Sequence, residues 1–239
     1  MSSEVETSRR TCQTVALREL APSTALRITS GAVRTLKHPV WPAIFSVNHL
    51  IAQLPFGRLD LAELFGRNAP LHVDLGCGDG SFLCELAQQC AQKNFLGIER
   101  LSKRVEKVRQ KADKIENVRV LRADSLFALR YLLPEKSVET FYLLFPDPWP
   151  KRRHQQRRVF TREFLDSIAV ALQQDGLLRV ATDQLDYFDQ IGRVSRSHSQ
   201  FDAVDSPDVV LPLTKFERRF RGRGAPIYRL TLRKTSPVR

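Results

Sequence analysis

From residue 71 onwards, short apolar runs alternate with longer stretches in which apolar residues recur every three or four positions. The short runs predict β-strands, at 71–75, 94–99, 117–121, 138–145 and 176–182. The longer stretches predict amphipathic helices, at 81–92, 101–115 and 161–174. Because this alternation implies right-handed crossovers, we expect a doubly wound α/β fold, with a parallel sheet covered by helices on both faces.

The two ends of the chain depart from this pattern. The last apolar run, 227–233, has too little chain before it for a crossover helix, so we expect it to join the sheet antiparallel. Residues 1–45 are polar, rich in Ser, Thr and Arg, and weakly periodic. We expect them to form a basic arm, mobile or peripheral, and residues 46–239 to form a single domain.

Each predicted parallel strand has an acid at its end or just after it. In chain order these residues are Asp74, Glu99, Asp124, Asp147 and Asp183. Ligands of such sheets bind at the carboxyl ends of the strands, where the direction of winding reverses. The repeated acids therefore predict one ligand site at that edge of the sheet.

The stretch VDLGCGDGS (73–81) follows the first strand and resembles a nucleotide-binding turn. A dinucleotide fingerprint needs Gly or Ala where Ser81 stands. In addition, Asp74 and Asp79 would repel a pyrophosphate. S-adenosylmethionine, which carries a sulfonium and an ammonium, suits an acid-lined turn built on Gly76 and Gly78. The alternative is that the glycines only make a tight turn and the acids only cap helices.

Two further strand ends complete this cofactor prediction. Glu99 is placed to hold the ribose hydroxyls, and Asp124 with Ser125 is placed to meet the adenine edge. The four cysteines contain no Cys-x-x-Cys pair, which indicates structural thiols in a reducing compartment. The five histidines are scattered, so we predict no metal.

The net charge of +12 indicates a polyanionic partner, with nucleic acid the first candidate and an anionic membrane surface the second. No run approaches the roughly 18 apolar residues of a membrane helix, and the first ten residues lack the apolar core of a signal peptide. We therefore expect a cytoplasmic protein, or one in an organelle interior. The sequence leaves monomer and homodimer equally open.

The stretch LLFPDPWPKRRHQQRRVF (143–160) places Asp147 among three prolines and a tryptophan, ahead of a basic run. The prolines restrict the backbone, which would hold the carboxylate in a fixed position. The plain alternative is a structural Asp-Pro turn followed by a solvated charged face. Trp149 either stacks on a base or packs the loop against the core.

These motifs resemble those of the tRNA (guanine-N7-)-methyltransferases of the bacterial TrmB type. The resemblance covers residues 71–232 and rests on five segments: DLGCGDG (74–80), GIE (97–99), FPDPWPKRRHQQRR (145–158), ATD (181–183) and TKFE (214–217). It implies a Rossmann-like, class I S-adenosylmethionine-dependent fold with a mostly parallel seven-stranded sheet. It also implies methyl transfer to N7 of guanosine 46 in the tRNA variable loop.

Matching positions carry the family's residue roles onto this chain. The cofactor contacts would be Asp74, Glu99, Asp124 and Asp147. The substrate contacts would be Lys151, Asp183, Thr214, Lys215, Phe216 and Glu217, and the residues facing RNA would be Arg153, His154, Arg157 and Arg158. Gln155 and Gln156 interrupt the basic run where more Lys or Arg is expected.

The chemistry of this reaction needs positioning more than proton transfer. Guanine N7 carries an in-plane lone pair, so no general base is required. Asp147 is the candidate catalytic residue, because a fixed carboxylate could hold the guanine edge or the cofactor ammonium and stabilise a cationic product ring. An N-cap role rivals the substrate role of Asp183. The TKFE segment (214–217) is predicted to be a loop between the last strands, and an internal ion pair between Lys215 and Glu217 rivals a substrate role for these two residues.

Three other functions compete with this interpretation. An adenine or cytosine amino-methyltransferase would carry an Asp/Asn-Pro-Pro-Tyr/Trp loop, whereas here the second proline is displaced to Pro150. A non-catalytic RNA-binding module with a relic cofactor fold is opposed by intact acids at every cofactor position. An NAD-dependent oxidoreductase is disfavoured by the charge of the glycine turn.

Overall fold

The computed structural model describes residues 58–205 and 211–235, so the predicted arm at 1–45 lies outside the described residues. Seven strands are present in these ranges: β1 Leu71–Leu75, β2 Asn94–Glu99, β3 Val118–Arg122, β4 Val138–Leu144, β5 Leu172–Thr182, β6 Phe201–Val204 and β7 Tyr228–Lys234. The α-helices are α1 Leu61–Phe65, α2 Ser81–Gln89, α3 Ser102–Ala112, α4 Ser125–Phe127, α5 Arg162–Ala171, α6 Leu185–Arg196 and α7 Lys215–Arg221. A π-helix follows α4 at Ala128–Leu132, and a 3-10 helix spans Arg152–Arg157.

The strands form one sheet in the order β3-β2-β1-β4-β5-β7-β6. Strands β1 to β5 are parallel, whereas β7 runs antiparallel between β5 and β6. The chain winds outward from β1 to β3 and then returns to place β4 on the other side of β1. The direction of winding therefore reverses between β1 and β4, where a ligand site is expected in such a sheet.

Apolar side chains bury both faces of the sheet. One face packs against α5, α6 and the π-helix through residues such as Phe164, Ile168 and Ile191. The other face packs against α2 and α3 through residues such as Leu83 and Val108. Because β1 is covered on both sides, all five of its residues are buried, Asp74 included.

Two local predictions were wrong, and one strand was not predicted. Helix α5 ends at Ala171, and the residues expected to finish it, 172–174, begin β5 instead. The four-residue strand β6 was not foreseen. The segment 214–217, expected to be a loop, forms the start of α7 with Thr214 as its N-cap.

Candidate active site

A glycine turn joins β1 to α2. Gly76, Gly78 and Gly80 all adopt positive φ, at 79°, 59° and 73°, which side chains other than glycine rarely accept. The amides of Gly76 and Cys77 both donate to the Ile98 carbonyl, at 2.8 and 3.1 Å, which ties the turn to β2. A Cβ on Gly80 would lie 2.8 Å from Val108 Cγ1, so glycine also lets α3 pack closely.

Two carboxyl groups lie beneath this turn. Glu99 is buried and accepts from the amides of Gly78, at 3.2 Å, and Leu101, at 2.9 Å. Asp74 is only 3% exposed, and no hydrogen bond or ion pair reaches its carboxyl group from residues 58–205 or 211–235. Burial, together with the neighbouring Glu99, raises the pKa of Asp74 to about 7. A ligand that brings positive charge or hydrogen-bond donors would satisfy this group.

Asp124 and Ser125 lie beyond β3. The Asp124 Oδ1 accepts from the amides of Leu126 and Phe127, at 3.0 and 3.1 Å, and so caps α4. The helix-capping role considered for these acids therefore exists at Asp124. The residue is nevertheless exposed to the same cleft as Ser125, which leaves its second carboxylate oxygen for a ligand.

The loop after β4 carries Asp147. Phe145 and Trp149 have φ values of 54° and 41°, a costly conformation for large side chains that the surrounding structure must impose. The Arg157 guanidinium lies 5.0 Å from the centre of the Trp149 ring, and the His154 ring meets the tryptophan edge-on. Asp147 is exposed, with no ion pair to any described residue.

Arg158, expected to face RNA, points into the protein instead. Its side chain is 2% exposed, lies 4.7 Å from the centre of the Tyr187 ring, and donates to Asp186 at 2.5 Å and Gln190 at 2.8 Å. Its Nε donates to the Pro148 carbonyl at 2.7 Å. A buried guanidinium held by these acceptors is turned away from solvent, so its position does not fit the expected contact with RNA. Arg158 anchors the Asp147 loop to α6.

Glu217, expected to contact substrate, also serves the fold. Its amide donates to Thr214 Oγ1 at 2.9 Å, and its carboxylate is buried against Arg221, at 2.7 Å, and Arg229. The rival suggestion of an internal ion pair holds for Glu217, but its partners are these arginines rather than Lys215. The side chain is only 7% exposed, so its position does not fit the expected contact with substrate.

Asp183 follows β5 but does not cap α6, because Gln184 occupies the N-cap position. The Asp183 Oδ2 accepts from Gln184 Nε2 at 2.7 Å, and the side chain is half-buried. The rival N-cap role is therefore absent.

A cleft of about 840 Å³ brings most of the expected site together. Among the predicted residues it is lined by Asp74, Gly76, Gly78, Glu99, Asp124, Ser125, Asp147, Arg157, Thr214, Lys215 and Phe216. The other predicted contacts, Lys151, Arg153, His154, Arg158, Asp183 and Glu217, are outside its lining. The cleft thus joins the carboxyl ends of β1 to β4 with the start of α7.

Sequence reasoning missed several lining residues. Leu101 lines the cleft and is 43% exposed. The only sequence signal for it is an apolar residue two positions after the strand-end acid Glu99, which is weak. Phe82 and Cys77 line the cleft from the glycine turn and α2. Burial raises the pKa of the Cys77 thiol, which keeps it protonated and unreactive.

Two further findings concern metal ions and membrane-spanning helices. Within residues 58–205 and 211–235, no three His, Cys, Asp or Glu side chains are grouped to hold a metal ion. In the same part of the chain, none of the helices combines the length and apolar character needed to cross a bilayer.

A family model described as "Putative methyltransferase" matches residues 68–230. The crystal structure of the 16S rRNA methyltransferase KamB superposes with a TM-score of 0.56 at 17% sequence identity, over 75% of this chain and 95% of that one. The chain is therefore a methyltransferase with the fold of the class I S-adenosylmethionine-dependent methyltransferases.

Curated relatives identify the family. The tRNA (guanine-N(7)-)-methyltransferase of Halorhodospira halophila is 36% identical over 216 residues, which cover 87% of this chain and 90% of that protein. The enzyme of the same name from Thermotoga maritima is 36% identical over 184 residues, 74% of this chain and 58% of that longer protein. This chain belongs to the tRNA (guanine-N(7)-)-methyltransferase family.

Proposed function

We propose that this protein transfers a methyl group from S-adenosylmethionine to N7 of guanosine 46 in the variable loop of tRNA. The observation that carries the proposal is the cleft, where a buried carboxyl with no partner among the described residues lies beneath a cationic rim. The floor suits a positively charged cofactor, and the rim suits a polyanionic substrate. The names of the relatives support the base and the atom.

Asp74, Glu99 and the Asp124–Ser125 pair are the proposed cofactor contacts. Asp74 would accept from the ammonium group, because a cation favours the ionised form of a buried carboxyl. Glu99 accepts hydrogen bonds from two backbone amides, and its remaining lone pairs would accept from the ribose hydroxyls. When bound, S-adenosylmethionine supplies an electrophilic methyl group on its sulfonium sulfur.

Asp147 is the proposed catalytic residue. Its loop is held by the strained backbone at Phe145 and Trp149 and by the Arg158 anchor, so the carboxylate is positioned before substrate arrives. It would accept hydrogen bonds from N1 and N2 of guanine, which aligns N7 and stabilises the positive charge that develops on the ring. Lys215 and Phe216, at the cleft edge, would contact the nucleotide on its other side.

The test is methyl transfer from labelled S-adenosylmethionine to an unmodified tRNA transcript, with wild type beside Asp147→Asn. We expect borohydride–aniline cleavage of the product at one variable-loop guanine. We expect Asp147→Asn to lower kcat by at least ~10²-fold, because the amide cannot accept the same two hydrogen bonds. Cofactor affinity and melting temperature should change little, because Asp147 is exposed and forms no ion pair with the described residues.

The other outcomes separate the rival functions. Transfer to an adenine or cytosine amino group would overturn the assignment to guanine N7 while keeping the cofactor. Binding of both tRNA and cofactor without transfer would favour a non-catalytic RNA-binding protein. An unchanged rate in Asp147→Asn would remove Asp147 from the mechanism and leave the reaction standing.

A further inference from the structure

The charged residues that line the cleft differ in burial according to their sign. Its buried carboxyl groups are those of Asp74 and Glu99. Its exposed charged residues are mostly cations: Arg100, Arg104, Lys107, Arg157, Lys215 and Arg219. Like charges gathered at one rim repel one another, and a polyanion that spans them relieves this repulsion.

Several cations of α3 have acidic partners, whereas Arg100, two residues before the helix, and Lys107 have none among the described residues; Lys111, for example, lies 2.9 Å from Asp79. Arg104 lies 3.6 Å from Glu99, and Arg109 lies 4.0 Å from Glu106, so these side chains already have acidic partners. Arg100 and Lys107 line the cleft and have no ion pair or hydrogen bond to any residue in 58–205 or 211–235.

Helix α7, which also lines the cleft, shows the same division. Arg218 lies 3.5 Å from Glu85, and Arg221 lies 2.7 Å from Glu217. Lys215 and Arg219 line the cleft, and neither is paired with another residue of the described chain. In both segments, therefore, some of the cations that line the cleft have no acidic partner among the described residues.

We propose that the sugar–phosphate backbone of the RNA crosses the mouth of the cleft, between a first bank of Arg100 and Lys107 and a second bank of Lys215 and Arg219. This inference rests on the proposed function and specifies the path of the substrate. Both banks border one cleft, so a strand that contacts both lies over the buried acids and over the cofactor held there. Bound RNA therefore slows release of the cofactor.

The first test measures the salt dependence of tRNA affinity with saturating S-adenosylhomocysteine, so that no reaction occurs. The variants are Lys107→Ala and Arg219→Ala, and the matched controls are Arg109→Ala and Arg218→Ala, one paired arginine on each helix. Each cleft variant should weaken binding several-fold and reduce the slope of log Kd against log[KCl] by about 0.7–0.9, the change for one lost phosphate contact. The controls should keep the wild-type slope.

The second test measures release of labelled S-adenosylhomocysteine after a chase with unlabelled compound. Saturating tRNA should slow release at least several-fold in wild type, and much less in Lys107→Ala/Arg219→Ala. Equal slopes for cleft and control variants, or a release rate that tRNA leaves unchanged, would each overturn the inferred path.

These outcomes are independent of the methylation assay. A protein that methylates guanine N7 but whose cleft variants keep the wild-type slope retains the proposed function and loses the inferred path. A protein that shows the expected slopes and slowed release, but methylates no guanine, retains the path and loses the proposed function.

Discussion

The two ends of strand β1 treat polar side chains in opposite ways. Near its amino end, the His72 Nδ1 lies 3.0 Å from the Tyr142 hydroxyl, and its Nε2 lies 3.2 Å from the Lys93 ammonium. Lys93 in turn donates to Glu139 at 2.6 Å. Near the carboxyl end, two residues further along, Asp74 has no hydrogen-bond partner among the described residues.

The contrast distinguishes a buried polar side chain that stabilises the fold, His72, from one that is available to bind a ligand, Asp74. Burial and the nearby Lys93 lower the pKa of His72 to about 4, so the ring is neutral and serves as a hydrogen-bonding partner. Asp74 is equally buried but lies beside another carboxylate, with its pKa raised to about 7. A buried group left in this condition costs stability, which is how a preformed binding site is recognised.

We expect the largest effect when Asp74 is replaced, and we expect it on cofactor affinity. Asp74→Asn keeps the shape but removes the negative charge, so affinity for S-adenosylmethionine should fall by ~10–100-fold, the loss expected for a charge-assisted contact. Isothermal titration calorimetry at pH 8 measures this. Unchanged affinity would mean that the carboxylate does not contact the cofactor.

The same variant should gain stability. A carboxyl whose folded pKa is raised holds protons that the unfolded chain releases, so stability falls as pH rises between the ordinary value of 3.8 and about 7. Asp74→Asn removes this loss and should be more stable than wild type at pH 8, by on the order of 1–3 kcal/mol without cofactor. Urea unfolding measures it, and the difference should vanish at pH 4.

A substitution in the polar network near the amino end of β1 should have a smaller effect, on stability rather than on cofactor affinity. Glu139→Gln removes the charge that partners Lys93, so we expect a loss of about 1–2 kcal/mol in the free energy of unfolding. Cofactor affinity should stay within twofold of wild type, because Glu139 is the second residue of β4 and is not part of the cleft lining. A large loss of affinity would show that the two ends are coupled.

The smallest effect we expect is that of pH on cofactor affinity. Ionisation of Asp74 near pH 7 favours a cationic ligand, so affinity should rise by up to about tenfold from pH 6 to pH 8, with protons released on binding. Calorimetry in two buffers of different ionisation enthalpy measures the proton release. Asp74→Asn should show neither the rise nor the release that Asp74 causes.

Much of this architecture was predictable because its signals are local. The runs at 71–75 and 94–99 match β1 and β2 residue for residue, since continuous apolar runs bounded by turn residues are typical of buried parallel strands. The antiparallel placement of the last strand was also confirmed. The short strand β6 was missed because four residues with two exposed positions give too little pattern.

The errors at the site came from long-range contacts. Arg157 and Arg158 are neighbours in one basic run, yet the first lies over Trp149 and the second is buried against Asp186. The side-chain acceptors of Arg158 are Asp186 and Gln190, which lie 28 and 32 residues further along, on α6, where no local pattern indicates them. The buried position of Glu217 likewise depends on a distant residue, because its carboxylate pairs with Arg229 on β7.

The position of β7 also determines when the molecule can be completed during synthesis. Strand β7 is the last in sequence, yet it lies between β5 and β6, and in the described chain β6 pairs with no other strand. Until residues Tyr228–Lys234 leave the ribosome, β5 therefore has an open hydrogen-bonding edge, the kind of edge through which chains aggregate. Nascent chains that stall before residue 228 should therefore depend on chaperones more than chains that extend beyond residue 234 and have left the ribosome.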